Sequence, residues 1–282
     1  DLHYPLRRQR QMCIRDRYSP FIHEYIERSG LENIALLSVN SDNGYSGVLD
    51  NRLILKLWAG VIIADVMQSI YPVLLVHARD REAAIDIYKR EEDRIEAALE
   101  KAKTFKDIQG TLSRVAESLG RITLKTNPAN APAVLLTGEI YVRHDDLSRQ
   151  YLVEKLADHG LVSRVSGLGE WLYYSDWCYQ NRVNGRKPTV KERLFLSLRH
   201  LMMRRYEKDV KAILSRSGLI QPALEDVEHL IKKAGHLIHP TLTGEAILTV
   251  GASIAEVPSP FCGAIAIGPF GCMPNRISEA IL

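Results

Sequence analysis

Short, continuous apolar runs alternate along the chain with longer stretches in which apolar residues recur at helical spacing. The short runs predict buried strands, which we place at 34–39, 133–137, 161–165 and 264–267. The longer stretches predict helices, which we place at 21–27, 52–71, 81–103, 105–119, 147–159, 188–214, 225–235 and 244–255. Because strands alternate with helices, the predicted fold class is α/β with parallel sheets, in which helix clearly exceeds strand.

We expect two lobes, because the segment 127–132, rich in Asn and Pro, is the best candidate for a linker. The first α/β lobe would span 18–130 and be incomplete at its N-terminus, and the second would span 131–282 and be truncated at its C-terminus. A cleft is expected between the lobes at the carboxyl ends of the strands. The aromatic-rich segment 167–178 is predicted to be an irregular connection.

Residues 1–17 match neither helical nor strand periodicity, and we expect a non-native or disordered tail that packs against nothing. Five arginines and two aspartates in this tail account for the whole formal charge of +3. The remainder is formally neutral, so no basic patch favours nucleic acid. The tail resembles translated sequencing-adapter read-through, and in that case Cys13 has no structural meaning. A basic targeting arm is the alternative, whereas the apolar core of a signal peptide is absent.

The most apolar segment, 53–77, is interrupted by Lys56, Asp65 and Gln68, which favours a buried helix over a membrane span. Four cysteines without regular spacing do not form a disulfide framework. We therefore expect the protein to be located in the reducing cytoplasm. The sequence contains no Walker A loop, no GxGxxG and no GxSxG. Their absence argues against a P-loop ATPase, a standard dinucleotide dehydrogenase and an α/β-hydrolase.

Cys272 is predicted to lie in a strand-to-helix turn, between the strand at 264–267 and a helix that Pro274 opens. Such a turn lies at the carboxyl edge of an open sheet, where ligands bind. The N-terminus of a helix favours a thiolate, which is both a nucleophile and a metal ligand. Gly271 would leave room for a bulky group against the backbone. The alternative is a small buried cysteine that fills a tight turn.

Charged residues crowd the predicted connection after the strand at 133–137. Glu139 directly follows that buried strand, so its carboxylate needs a partner or a substrate, and Arg143 is the nearest candidate partner. Acids and a guanidinium at this edge suit anion binding or proton transfer. Of Asp145 and Asp146, one is expected to cap the next helix instead.

Three other features carry weaker signals. Glu245 follows Thr-Gly at a predicted helix start, where it could do no more than complement the helix dipole. His236 and His239 form an HxxH pair, for which a surface loop is a better explanation than zinc. Cys178 lies among aromatic residues and is expected to belong to the core.

Three segments, at 138–146 (GEIYVRHDD), 243–248 (TGEAIL) and 267–276 (IGPFGCMPNR), resemble the 2-hydroxyacyl-CoA dehydratase superfamily. The most similar branch is the C-terminal dehydratase-like module of the long activase-related proteins, known as CoA-substrate-specific enzyme activases. The resemblance covers roughly residues 18–282, and its most specific part is the PFGCMP segment.

The resemblance implies two Rossmann-like lobes around an oxygen-sensitive [4Fe–4S] cluster held by cysteines from different lobes. It also implies an enzyme of anaerobic metabolism, a carbon–oxygen lyase that removes water from a 2-hydroxyacyl-CoA through a ketyl radical. Carried over residue by residue, Cys272 would ligate the cluster with Gly271 and Glu245 beside it, and Glu139 and Arg143 would face the cleft as catalytic residues. Cys262 lies at the opposite end of the last strand and is not expected to reach the same cluster.

The implied partners are an acyl-CoA substrate and an ATP-dependent activase domain or subunit, with neither nucleic acid nor membrane. The sequence departs from the family pattern upstream of Tyr18, where further cysteine-bearing segments are expected. The phosphate-binding motifs of the activase portion are also absent. We therefore expect a fragment with an incomplete set of cluster ligands. The alternative is a non-catalytic module that binds a CoA ester or a partner and has lost its cluster.

Overall fold

A computed structural model describes residues 15–31, 33–34, 36, 51–181, 183, 190–242, 244–257 and 259–282. The predicted strand at 34–39 lies largely outside these residues. Residues 1–14 of the predicted tail lie outside them as well. Helix α1 begins inside that tail and spans Arg15–Arg28.

The described chain is predominantly helical and contains three strands. The strands are β1 (Ala133–Gly138), β2 (Val162–Val165) and β3 (Gly263–Ile267). After α1 the helices are α2 (Asn51–His77), α3 (Arg81–Lys101), α4 (Phe105–Gly120), α5 (Ile140–His144), α6 (Leu152–Asp158), α7 (Leu168–Gln180), α8 (Val190–Leu214), α9 (Val227–Ala234), α10 (Ala246–Glu256) and α11 (Met273–Ile281).

The three strands form one parallel sheet in the order β2-β1-β3. In its register Ala133 lies opposite Val162 on one side, and Val134 lies opposite Gly263 on the other. The strands predicted from the apolar runs at 133–137, 161–165 and 264–267 are confirmed, and so is the helix-rich α/β class with a parallel sheet.

Helices cover both faces of this sheet. Adjacent residues of a strand point to opposite faces, and Leu135 and Leu136 of β1 accordingly join different apolar clusters. Leu136 packs with residues of α2 and α6, including Val153, whereas Leu135 packs with Leu230 of α9 and Ala252 of α10. The sheet is therefore the middle layer of three.

A helical core adjoins this sandwich. Apolar side chains of α2, α3, α4 and α8 form its largest cluster, in which Leu112 and Leu119 meet Val210 and Leu214. Helix α8 belongs to the second predicted lobe, yet it packs on helices of the first. The part of the chain that the structure describes contains a single sheet, and a two-lobed arrangement stays a prediction.

Helix α2 is the one described helix that is long and apolar enough to cross a membrane by length and composition alone. Its side chains Ile63, Ile70 and Leu74 are almost completely buried against the neighbouring helices. This packing is typical of a core helix.

The predictions for two segments need correction. The segment 167–178 forms helix α7 instead of an irregular connection, and it buries Tyr173, Tyr174 and Cys178 at helical spacing. The helix predicted at 147–159 begins only at Leu152, since Gln150 and Tyr151 adopt left-handed backbone angles that end the preceding turn.

Gly138 ends β1 with a φ of +109°, and a Cβ there would lie 2.1 Å from the carbonyl oxygen of Ile267. We expect Gly138→Ala to destabilise the protein by about 3 kcal/mol or more, because strain and backbone overlap add together. Gly160→Ala is the matched control. Its φ is +76° with nothing within 4 Å of an added Cβ, so only the left-handed strain of about 1–2 kcal/mol applies. Urea unfolding followed by circular dichroism measures both, and equal losses would contradict the prediction.

Candidate functional site

The carboxyl ends of β1 and β3 are tied together at Glu139. Its backbone N–H donates to the carbonyl of Ile267 at 2.8 Å. Its side chain caps the short helix α5, with Oε2 accepting from the N–H of Val142 at 2.8 Å. The carboxylate that the sequence singled out therefore stands at the edge of the sheet, as predicted for a residue that follows a buried strand.

Cys272 lies in the predicted strand-to-helix turn and is the N-cap residue of α11, with Pro274 in the first turn. The turn closes through the Cys272 N–H, which donates to the carbonyl of Pro269 at 3.1 Å. Gly271 has a φ of +80°, and nothing lies within 4 Å of the position of a Cβ there. The predicted room beside Gly271 is present, while its role toward a cofactor stays a prediction.

Glu245 comes from a third segment and is almost fully buried, at 4% exposure. It directly precedes α10. The preceding residue, Gly244, has a φ of +132° and would place a Cβ 3.5 Å from the Pro274 ring. This approach brings the start of α10 next to the start of α11, and hence Glu245 next to the Cys272 turn.

Burial and nearby carboxylates act on the thiol in the same direction. Burial raises the pKa of Cys272 above its ordinary value, and the carboxylates of Glu245, Glu139 and Glu279 raise it further, against an opposing hydrogen bond from the backbone N–H of Asn275. Burial and these carboxylates therefore oppose the thiolate that the helix N-terminus was expected to favour, and the role of Cys272 stays a prediction.

Arg143 does not face a cleft, which corrects the sequence-based expectation. Its side chain is 1% exposed. The guanidinium donates to the carbonyl of Gly138 at 3.0 Å and to that of Gly167 at 3.2 Å. Because Gly138 is the last residue of β1 and Gly167 lies two residues after β2, Arg143 ties the ends of the two strands together from inside the protein.

Sequence reasoning missed Asn275, whose backbone N–H is hydrogen-bonded to the Cys272 thiol. Its side chain is 5% exposed, and Nδ2 donates to Glu279 Oε1 at 2.6 Å. A Cβ on Gly268 would lie 2.7 Å from Asn275 Cγ, so Asn275 packs directly on the backbone after β3. Its position three residues after Cys272, in the first turn of a predicted helix, was the only signal.

Glu170 in the first turn of α7 was also missed, because its segment was predicted to be irregular. It is 2% exposed, and among the described residues its Oε1 has no hydrogen-bond partner. Burial raises its pKa from 4.5 to about 7, with Arg143 opposing the shift and Glu225 and Glu256 adding to it. A carboxyl group that titrates near neutral pH therefore lies behind the edge of the sheet.

The other cysteines lie elsewhere. Cys262 is exposed at the amino end of β3, where its Sγ is 3.1 Å from the carbonyl oxygen of Ala133. Cys178 is buried in the core beside Tyr174, as expected. Cys13 lies outside the described residues. Cys272 is thus the only thiol at the carboxyl edge in the described part of the chain.

Comparisons with known proteins give no assignment: no family model, curated protein or solved structure matches this chain.

A [4Fe–4S] cluster requires four ligands, usually cysteine thiolates. At this edge the described residues supply one thiol, Cys272, with a raised pKa and carboxylates around it. Among the same residues no group of three or more His, Cys, Asp or Glu side chains is arranged to hold a metal ion. They therefore do not form a complete cluster site by themselves.

Removing a neighbouring carboxylate should lower the pKa of Cys272. We expect Glu245→Gln to shift the pH dependence of Cys272 alkylation by iodoacetamide to lower pH, because a negative charge beside the thiolate is lost. Mass spectrometry of the Cys272 peptide measures the rate at each pH. Glu117→Gln, an exposed carboxylate on α4, is the control and should change nothing; an unchanged profile for Glu245→Gln would show that the two groups do not interact.

Glu170 should make stability depend on pH. Its pKa is raised from 4.5 to about 7 in the folded protein, so the folded state binds the proton more tightly and stability falls as pH rises through this range. We expect Glu170→Gln to be nearly neutral at about pH 5 and stabilising by about 1–3 kcal/mol at about pH 8. Thermal unfolding at the two pH values measures the difference, and equal effects at both would contradict the assignment.

Proposed function

We propose that this chain is an α/β module of the 2-hydroxyacyl-CoA dehydratase type that works with an ATP-dependent activase. Its site would be the carboxyl edge between β1 and β3, and its substrate an acyl-CoA. The single observation that carries the proposal is that the segments of Cys272, Glu139 and Glu245 meet at this edge, through the Glu139–Ile267 hydrogen bond and the close approach of Gly244 to Pro274. These are the three segments in which the sequence resembles that superfamily.

The topology supports a site at this place. Helix α6, which follows β1, and helix α10, which precedes β3, lie on opposite faces of the sheet. In open α/β sheets, ligands bind outside the carboxyl ends of strands where the connections change faces. The proposal includes a second Rossmann-like lobe that closes a cleft over this edge, and a cytoplasmic location.

Within this proposal the residues have distinct roles. Glu139 is the candidate for proton transfer, since its carboxylate stands at the edge beside Cys272. Arg143 acts as a positioning residue, because its guanidinium is occupied by the carbonyls of Gly138 and Gly167. Cys272 would supply one ligand to a [4Fe–4S] cluster, which in this superfamily serves the radical removal of water; the remaining ligands would come from outside the described residues.

A second candidate function is favoured by the electrostatics of Cys272. A protonated thiol among carboxylates is a poor ligand for a cluster, since both burial and negative charge oppose the thiolate. In this alternative the module binds a CoA ester or a partner protein at the same edge without a cluster of its own.

Anaerobic reconstitution with iron and sulfide distinguishes the two functions. We expect the full-length protein to bind iron and sulfide with the charge-transfer absorbance of an iron–sulfur cluster, and Cys272→Ala in it to abolish this binding. Cys262→Ala is the matched control and should retain most of it, because Cys262 lies at the other end of β3. Iron and sulfide are assayed chemically, and binding of a CoA ester is measured in parallel by calorimetry.

Each outcome has one meaning. Iron binding that is lost only in Cys272→Ala supports the cluster-bearing module. CoA-ester binding without iron supports the second candidate. Failure to bind either contradicts both functions.

A further inference from the structure

The first turn of α7 is held by a carboxylate from a distant part of the chain. Asp65 lies within the long apolar helix α2, 103 residues before Leu168. Its Oδ1 accepts from the N–H of Leu168 at 2.9 Å, and its Oδ2 accepts from the N–H of Gly169 at 2.7 Å. The carboxylate therefore takes the place of a local N-cap at the N-terminus of α7.

Two glycines on either side of Leu168 let the backbone approach this carboxylate closely. A Cβ on Gly167 would lie 2.6 Å from Asp65 Oδ2, and a Cβ on Gly169 would lie 3.1 Å from the same atom. The Gly-Leu-Gly sequence is thus a cradle shaped for the carboxylate.

The cradle is linked to the edge of the sheet on its other side. The carbonyl of Gly167 accepts from Arg143, whose guanidinium also donates to the carbonyl of Gly138 at the end of β1. The preceding residue, Ser166, donates its N–H to the carbonyl of Leu136 at 2.8 Å. A movement of the N-terminus of α7 would therefore disturb the hydrogen bonds at the point where β2 ends beside β1.

We propose that Asp65 is a proton-operated clasp, which when ionised holds α7 on α2 and, through Gly167 and Arg143, fixes the carboxyl ends of β1 and β2. An ionised carboxylate accepts both hydrogen bonds, one on each oxygen. Once an oxygen carries a proton it loses acceptor capacity, so one of the two bonds is weakened and the attraction to the helix N-terminus is lost. This inference does not depend on the proposed function.

Burial places the pKa of Asp65 within a usable pH range. Burial raises the pKa of Asp65 to about 6, against the two backbone hydrogen bonds that lower it; Glu225 adds to the shift and Arg143 opposes it. Glu170, in the same first turn of α7, also has a raised pKa, at about 7. The two backbone hydrogen bonds lower the pKa of Asp65, so their loss while the carboxyl group stays buried would raise the pKa further, and proton uptake therefore favours the open clasp. The clasp is thus closed at neutral pH and open in mild acid.

The carboxylate at the start of α4 provides a matched comparison with Asp65. Asp107 also caps a helix, and its Oδ2 accepts from the N–H groups of Lys103 and Thr104 at 2.9 and 2.8 Å. Asp107 is exposed, and these hydrogen bonds lower its pKa. The cap of α4 should therefore stay ionised over the range in which the cap of α7 takes up its proton.

Two-dimensional ¹H–¹⁵N NMR of the whole protein tests the clasp. Between about pH 5 and 8 we expect the amide protons of Leu168 and Gly169 to move together with a midpoint at about pH 6, while those of Lys103 and Thr104 stay in place. Asp65→Asn should abolish the movement. Glu170→Gln should leave the midpoint in place, which separates Asp65 from its titrating neighbour.

Amide hydrogen exchange tests the link to the sheet. Below the midpoint the Ser166 amide should exchange several-fold faster than above it, after correction for the intrinsic effect of pH. The Val162 amide, bonded to the Pro132 carbonyl at 3.0 Å at the other end of the same strand, should not. If the amide signals of Leu168 and Gly169 do not shift with pH, or shift equally in Asp65→Asn, the clasp is refuted. If these signals shift while the exchange rate of the Ser166 amide does not change, the coupling to the edge of the sheet is refuted. Should Asp65→Asn fail to fold, the Glu170→Gln titration carries the same decision.

Discussion

The burial of strand β1 on all sides is the constraint from which the rest of the structure follows. Leu135 and Leu136 are 2% and 0% exposed, and each side chain contributes about 1.5–3 kcal/mol through the apolar surface that it removes from water. A strand with two apolar faces requires helices above and below it, and a strand with two occupied edges requires β2 and β3. The polar residues that follow such a strand can only be placed at its end.

Two of the charged groups in this interior bind the backbone. Arg143 binds the carbonyls of Gly138 and Gly167, and Asp65 binds the N–H groups at the start of α7. Both side chains meet backbone dipoles that have no partner within their own element, which offsets the cost of removing a charge from water. The end of the sheet is thus held by two side chains of opposite charge acting on the same short loop.

The sequence predicted the elements whose signals are local. The apolar run at 133–137 and the Gly–Pro punctuation around Cys272 correspond to β1 and to the turn before α11. Helix α7 was missed because its cap, Asp65, is far away in sequence, and no propensity rule contains that contact. The raised pKa of Cys272 was missed for the same reason, since it depends on carboxylates that only the fold assembles.

The adjacency of Gly138 and Glu139 has a consequence for how this edge can change. Gly138 is fixed by the backbone of Ile267, which any side chain would overlap, while Glu139 beside it projects toward the candidate site. Random variation across this dipeptide would mostly be eliminated by misfolding before its chemistry could be sampled. A directed-evolution library that alters the site should therefore hold Gly138 constant and vary Glu139, Glu245 and Cys272 together, because they come from separate segments but act on the same thiol.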